Sequence, residues 1–449
     1  MSQRERGSSS GDATAVAATS NRRRFLGSIG AACAVSLAGC GGSEETATPA
    51  DSTPSTATER GPETTTATER PTESTAAPDP SVLWVAPDGD DDAAGTADDP
   101  LRTFDTAVND RAEPGDTIRA KPGVYRQFLT MRRGGEPGAP ITITGPPDAI
   151  VRPEPGAAQI LRIHHSHVHL TGLSIDGLLA PDRRFETLDA WAAIGVDISP
   201  YAAFKPATPE YLTDIVVEPH RIGGSKGTLI APTRLRNASI GGFEVTAPAG
   251  MRYDERMPDT ATGHNRELVY IGTSPGNLDK DAYPWEGLDR TRNVRVHHID
   301  NSAGYAHSEI VDVKVGSEDI TVEHCTDRGG GAQTDDNPAG AVSVKGNRCT
   351  VRWNDLAEAP HTLEFDPYYP QGDVADWGRD NLIYGNYLHD FGESAIRFPD
   401  YGKASPDEQR VFCGNRIENG SGTYPYATGS CGEEVPTERP TGHEGDTDT

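Results

Sequence analysis

The sequence predicts an all-β fold: a single-stranded, right-handed parallel β-helix, a solenoid whose short strands wind into coils along one axis. Three observations point to it. Five stretches superimpose, LVYIG from Leu268, IVDVK from Ile310, AVSVK from Ala341, TLEFD from Thr362 and AIRFP from Ala395, and most are followed by a second short strand. The shortest interval that reads as a full repeat, Cys325 to Cys349, is about two dozen residues, too few to bury an apolar face alone. Gly, Asn and Asp separate the runs, and helical periodicity is hard to find.

A β-sandwich would have similar strand content but no internal period of this kind. The body, 82–432, is large for one globular core and ordinary for a structure that grows along one axis. Alternate residues of a strand share a face. Val311, Val342, Leu363 and Ile396 therefore stack inward, and so do Ile271, Val313, Val344, Phe365 and Phe398. The residues between them point outward in two columns. One holds Tyr270, Asp312, Ser343, Glu364 and Arg397; the other holds Gly272, Lys314, Lys345, Asp366 and Pro399. Coils lie about 4.8 Å apart, so Lys314 and Lys345 are stacked neighbours flanked by Asp312, Glu364 and Asp366. The chain has only seven lysines, and two of them fall here. Such a column is either a solvated charge ladder, worth little in stability, or a site.

The chain carries 68 acidic against 41 basic residues, a net charge of −27. Nucleic-acid binding needs a basic face, so that class of partner is excluded. A Lys-poor, acid-rich surface resembles proteins of extreme halophiles, whose carboxylates keep them hydrated in strong salt. Nothing in the sequence calls for more than a monomer.

Residues 1–39 read as an export signal. Arg22 and Arg23, one free position, then Phe25 and Leu26 resemble the twin-arginine signature. The apolar run from Phe25 to Ala38 is short of the roughly 20 residues that span a bilayer. It closes on LAGC, Leu37 to Cys40, which resembles a lipoprotein processing site and implies that Cys40 takes the lipid. The expected location is the cell surface, with the membrane touched through the lipid alone. Residues 40–81, rich in Thr, Ser, Pro and Glu, read as a disordered tether, and 433–449 as a disordered acidic tail. Four cysteines remain in the body, an even number that favours disulfides outside the cell. Cys325 and Cys349 hold nearly the same place in consecutive repeats and are expected to pair, leaving Cys413 with Cys431.

Glu309 to Lys314, EIVDVK, resembles the E-x-x-x-x-K strand of the chondroitinase B and alginate lyase family. The opening VAPDGDDDAAGTADDP resembles the first coil and N-terminal cap of β-helical polysaccharide lyases. The resemblance implies an acidic polysaccharide as substrate, cleaved by β-elimination. It implies that Glu309 binds calcium and that Lys314 is the base. The family's assisting arginine falls on Lys345, and His307 stands where a second acidic ligand is usual. Asp312 or Asp366 would complete the calcium site, and Lys345 or Arg397 would protonate the leaving oxygen. Glu364, Tyr270 and Tyr368 are the expected substrate contacts, with Tyr369 and Trp377 in the same loop as Tyr368. Two other functions compete. A glycoside hydrolase could use Asp312 and Glu364, two coils or about 9.6 Å apart, near the upper end of the inverting spacing. A non-catalytic envelope lipoprotein could bind glycan alone. His167 and His169 share a strand face and read as surface residues before they read as metal ligands.

Overall fold

The computed structural model describes residues 81–127, 129–152, 160–177, 211–225, 228–249, 267–277, 287–305, 308–329, 339–367, 376–400, 404–432 and 435. The signal with Cys40, the tether, nearly all of the tail, His307, Tyr368 and Tyr369 lie outside the described residues.

The described strands stack into three parallel faces. The first face runs from Val82–Val85 through Thr117–Ala120, Ile141–Thr144, Val168–Thr171 and Leu212–Glu218. It continues through Glu318–Glu323, Thr350–Arg352, Leu382–Tyr384 and Val411–Cys413. The second face includes Gly123–Arg126, Ala149–Arg152 and Ser174–Asp176, and ends on Thr326–Arg328, Asp355–Ala357, Tyr387–His389 and Arg416–Glu418. Two long strands, Leu235–Ala249 and Arg292–Asn301, cross from the first face to the second and join both into one sheet. The third face is Val269–Ile271, Val311–Val313, Gly340–Val344, His361–Glu364 and Ser394–Arg397, with a shorter pair, Leu129–Thr130 and Leu161–Arg162, earlier in the chain. Every strand pairing is parallel, which makes the architecture a parallel β-helix.

Apolar side chains from all three faces fill the axis. Val311, Val342 and Leu363 are fully buried and directly stacked, and Ile396 follows them. Each such side chain contributes about 1.5–3 kcal/mol by leaving water. Phe365 and Phe398 stack with ring centroids 4.7 Å apart. At the start, the short helix Thr106–Arg111 adds Ala107 and Val108 to the same core as Val85 and Leu101. Among the described residues no helix is long and apolar enough to cross a membrane.

The bend from first to second face needs a residue with positive φ. Gly385 and Gly414 supply it without cost, whereas His298, His324 and Trp353 adopt it at the same place in earlier coils. Their rings stack along the axis, His298 on His324 at 4.8 Å and His324 on Trp353 at 5.2 Å. The next position holds an asparagine ladder. The Asn354 amide donates to Asn386 Oδ1 at 2.9 Å, and the Asn386 amide donates to Asn415 Oδ1 at 2.9 Å.

This register corrects the cysteine pairing. Cys325 lies in the asparagine column, its backbone N–H donating to Asn354 Oδ1 across 29 residues. A full coil here is thus longer than the 24-residue interval to Cys349 (349 − 325), which instead stands beside Ile320 at the start of the first face. The two thiols are free and buried, and burial pushes both up to about 12. Cys413 and Cys431 do form a disulfide, with Cα atoms 5.3 Å apart.

Candidate active site

On the third face the chain repeats a five-residue pattern: out, in, in, out, in. In one coil Glu309 points out, Ile310 and Val311 join the core, Asp312 points out and Val313 returns inward. The irregular second inward residue brings Glu309 round beside Asp312. Three outward columns result. The first is Glu267, Glu309, Gly340, His361 and Ser394; the second is Tyr270, Asp312, Ser343, Glu364 and Arg397. Lys314, Lys345 and Asp366 follow in the third, with the Lys345 N–H bonded to the Val313 carbonyl at 2.9 Å. The expected second and third columns are therefore in place.

The columns are charged and mostly buried. Asp312 is the hub: its side chain is 1% exposed and each oxygen holds an ammonium, Lys314 on Oδ2 and Lys345 on Oδ1 at 2.6 Å. Lys345 also donates to Ser343 Oγ at 2.7 Å and lies 3.2 Å from Asp366 and 3.9 Å from Glu309. Its ammonium thus sits among the three carboxylates that the sequence suggested for calcium. Asp366 is drawn to Lys345 and accepts from the Ser343 hydroxyl at 2.9 Å. Lys314 is 14% exposed, close to the 11% of Lys345, with Nζ 4.2 Å from the centroid of the buried Tyr270 ring. Arg397, 25% exposed, pairs with Glu364 at 2.9 Å. Gly340 makes room for that carboxylate: a Cβ there would lie 2.8 Å from Glu364 Cβ, and the glycine N–H donates to Glu364 Oε2 at 3.1 Å.

Electrostatics follow from this packing. Burial pushes the Asp312 carboxyl up, but Lys314 and Lys345 outweigh it and hold it below the usual range. Burial disfavours both ammoniums, yet Asp312 reverses the effect and holds each above an ordinary lysine. Glu309 is pushed up to about 8 by burial and then by the charge of Asp312. Glu364 is pushed up to about 7 by burial and by Asp366, against the pull of Lys345 and Arg397.

Two members were not legible as site residues. Glu267 stacks one coil before Glu309, accepts from Thr228 Oγ1 at 2.7 Å, and with Glu309 and Asp312 offers three carboxylate oxygens within 4.8 Å of one another. Its signal was its place immediately before LVYIG. His361 is buried; Nδ1 bonds Ser394 Oγ at 2.7 Å, Nε2 has no hydrogen-bond partner, and burial with the Arg397 charge lowers its pKa. With Glu309 pushed up to about 8 and so mostly protonated at neutral pH, Glu267, Asp312 and Asp366 against Lys314 and Lys345 leave one negative charge in excess (3 − 2), and two once Glu309 gives up its proton. That deficit, and a donor set of hard carboxylate oxygens, fit a divalent cation on the Glu267–Glu309–Asp312 side. Elsewhere, Trp377 is buried with Arg290 over its ring at 5.0 Å, and is no open platform for a sugar. His167 and His169 both bond Asp214, each at 2.9 Å.

No family model matches the chain. A curated relative, the uncharacterized protein YwoF of Bacillus subtilis (strain 168), is 30% identical over 124 residues, 26% of this chain. The chain spans about a quarter of that relative's length. Among solved structures, an alginate lyase from Paenibacillus sp. str. FPU-7 is similar at 14% identity and a TM-score of 0.49, over 78% of this chain and 99% of that one. The pectate lyase Pel9A is similar at 11% identity and a TM-score of 0.44, over 76% and 78%. The polysaccharide lyase Pedsa3628 from Pseudopedobacter saltans is similar at 14% and 0.38, over 73% and 85%.

Proposed function

We propose that the chain is an exported, lipid-anchored enzyme that cleaves an acidic polysaccharide by β-elimination on the third face. The observation that carries this reading is Lys314, a partly buried ammonium held by Asp312 and set against the Tyr270 ring, beside a buried cluster of carboxylates. In the reaction a base takes the C5 proton of a uronate, the electron pair forms the 4,5 double bond, and the O4 leaving group departs with a proton. Lys314 is the acceptor. Asp312 keeps it charged at rest, so it acts from its minority uncharged form and turnover rises with pH. Arg397, at the rim beside Glu364, faces the substrate carboxylate or the leaving oxygen. Lys345 is enclosed by Asp312, Asp366 and Ser343, so its part is to fix those groups rather than to donate a proton. Glu267, Glu309 and Asp312 would hold calcium, which supplies positive charge toward the substrate carboxylate when bound. The hydrolase reading loses ground because Asp312 is 1% exposed and bonded to two ammoniums, which suits a group that organises the cluster rather than one that meets a sugar directly.

The test is incubation of the purified protein with alginate, pectate, chondroitin and halophile exopolysaccharides in strong salt with calcium. Absorbance of a 4,5-unsaturated uronide is expected, and Lys314→Ala should lower the rate about 10²–10⁴-fold. Full activity in that variant overturns the assignment of Lys314. New reducing ends without the absorbance indicate a hydrolase, and binding with neither leaves a glycan-binding protein. For the anchor, Cys40→Ser should release the protein into the medium; unchanged membrane retention would sink that part.

A further inference from the structure

The far end of the first outward column holds a group that the elimination does not use. Ser394 lies directly over His361 in the parallel register, on the last strand of the third face. The half-buried Ser394 hydroxyl and the buried imidazole meet, Oγ to Nδ1, at 2.7 Å. The other ring nitrogen, Nε2, has no hydrogen-bond partner and faces Glu393 Oε2 at 3.6 Å. A hydroxyl, an imidazole and a carboxylate thus stand in line, with the two partners on opposite ring nitrogens. That is the order in which a base activates a nucleophile while a third group orients the base. Burial and the Arg397 charge hold the imidazole below an ordinary histidine, against the pull of Glu393. It is therefore neutral at pH 7 and able to accept a proton. Ser394 and Arg397 occupy the places on their coil that Glu309 and Asp312 occupy three coils earlier, so a cation flanks the hydroxyl.

We propose that Ser394 and His361 hydrolyse an acyl ester, such as an O-acetyl group, carried by the glycan on the third face. The nucleophile and its base follow from the geometry alone; the choice of an acidic glycan rests on the elimination reading. Ser394 Oγ bonds the acetyl carbon as its proton passes to His361 Nδ1. That proton goes to the sugar oxygen as the ester C–O bond breaks, leaving Ser394 acetylated. Water then attacks, gives a proton to Nδ1, and releases acetic acid as the proton returns to Oγ. Arg397 supplies positive charge to the oxygen anion of each addition. Glu393 acts only through His361, as a positioning residue that favours a proton on Nε2 and leaves Nδ1 open to the hydroxyl. An ester suits the site because its alcohol leaves more readily than the amine of an amide.

The experiment treats the full chain with a fluorophosphonate, maps the adduct by peptide mass spectrometry, and measures acetate released from acetylated polygalacturonate. The adduct should fall on Ser394, and acetate should appear. His361→Gln should slow both about 10²–10⁴-fold. If that variant fails to fold, Ser394→Ala, which removes one hydroxyl, should abolish both. Glu393→Gln removes a charge that raises the imidazole, so the acid limb of the acetate-release profile should move to lower pH. An unmoved limb overturns the part given to Glu393. No adduct on Ser394, or acetate release unchanged in Ser394→Ala, overturns the nucleophile; an adduct without acetate release overturns the ester. The absorbance of unsaturated uronide is read on the same samples, so the two ideas fail separately. Acetate without that absorbance sinks the elimination alone, and absorbance without a Ser394 adduct sinks the ester hydrolysis alone.

Discussion

Two polar stacks run along this solenoid, and they are built to different ends. In the asparagine ladder, Asn354, Asn386 and Asn415 repeat one neutral group, and each amide meets the next. The Asn386 amide also reaches the Val351 carbonyl at 2.9 Å, so donors and acceptors are matched within the stack. The third-face columns repeat nothing: Tyr270, Asp312, Ser343, Glu364 and Arg397 differ at every coil, and neighbouring columns add unlike charges. There the matching is incomplete, and Glu309 at about 8 and Glu364 at about 7 record the surplus. A neutral ladder holds coils together. A charged grid with leftover charge is a place where a cation or a charged substrate changes the balance.

The sharpest way to break the comparison is to remove a charge from the grid. Lys345→Met keeps length and apolar stem but leaves Asp312, Asp366 and Glu309 without their shared ammonium. Unpairing buried charges costs about 3–5 kcal/mol. Urea denaturation should show a loss of that size, partly restored when calcium is added. A change below about 1 kcal/mol would mean that the grid is as indifferent as a solvated surface ladder.

The same grid shows how far sequence alone can be read. Tyr270, Asp312, Ser343, Glu364 and Arg397 were placed in one column by strand alternation and the repeat, and the register agrees. Glu267 escaped because two consecutive inward residues, Leu268 and Val269, break the alternation that locates Tyr270. The cysteine pair failed for a related reason: coil length varies, and a coil of 29 residues puts Cys325 beside Asn354 while Cys349 stands five places earlier (354 − 349). Cys413 and Cys431 were reached only as the remaining pair, yet they do bond. The protonation of Glu309 could not be read at all, because it depends on how deeply three carboxylates from two coils are packed together.

A smaller effect should appear in the pH dependence of stability. Unfolded Glu309 titrates near 4.5, whereas in the folded grid it titrates at about 8. Between those values the folded chain holds a proton that the unfolded chain has lost, so stability falls as pH rises, by at most about 1.4 kcal/mol per pH unit. Glu309→Gln removes that proton and should flatten the decline between pH 5 and 8 when measured in a chelator. An equal slope in the variant would place the excess charge on another group.

The smallest and least conditional effect belongs to the neutral ladder. Asn386→Leu fills a similar volume but leaves the Asn354 backbone N–H, at 3.1 Å from Asn386 Oδ1, and the Asn415 acceptor without that partner. Buried groups left unpaired cost about 1–3 kcal/mol. Because no charge is involved, the loss should be the same at pH 5 and pH 8 and in low and high salt, and calcium should not alter it. Amide exchange should quicken first in Thr350–Arg352 and Leu382–Tyr384, which lead into the ladder positions of two successive coils. A loss from Asn386→Leu that follows salt or pH as the Lys345→Met loss does would mean that the two stacks are electrostatically joined, and the distinction between a binding grid and a structural ladder would fall.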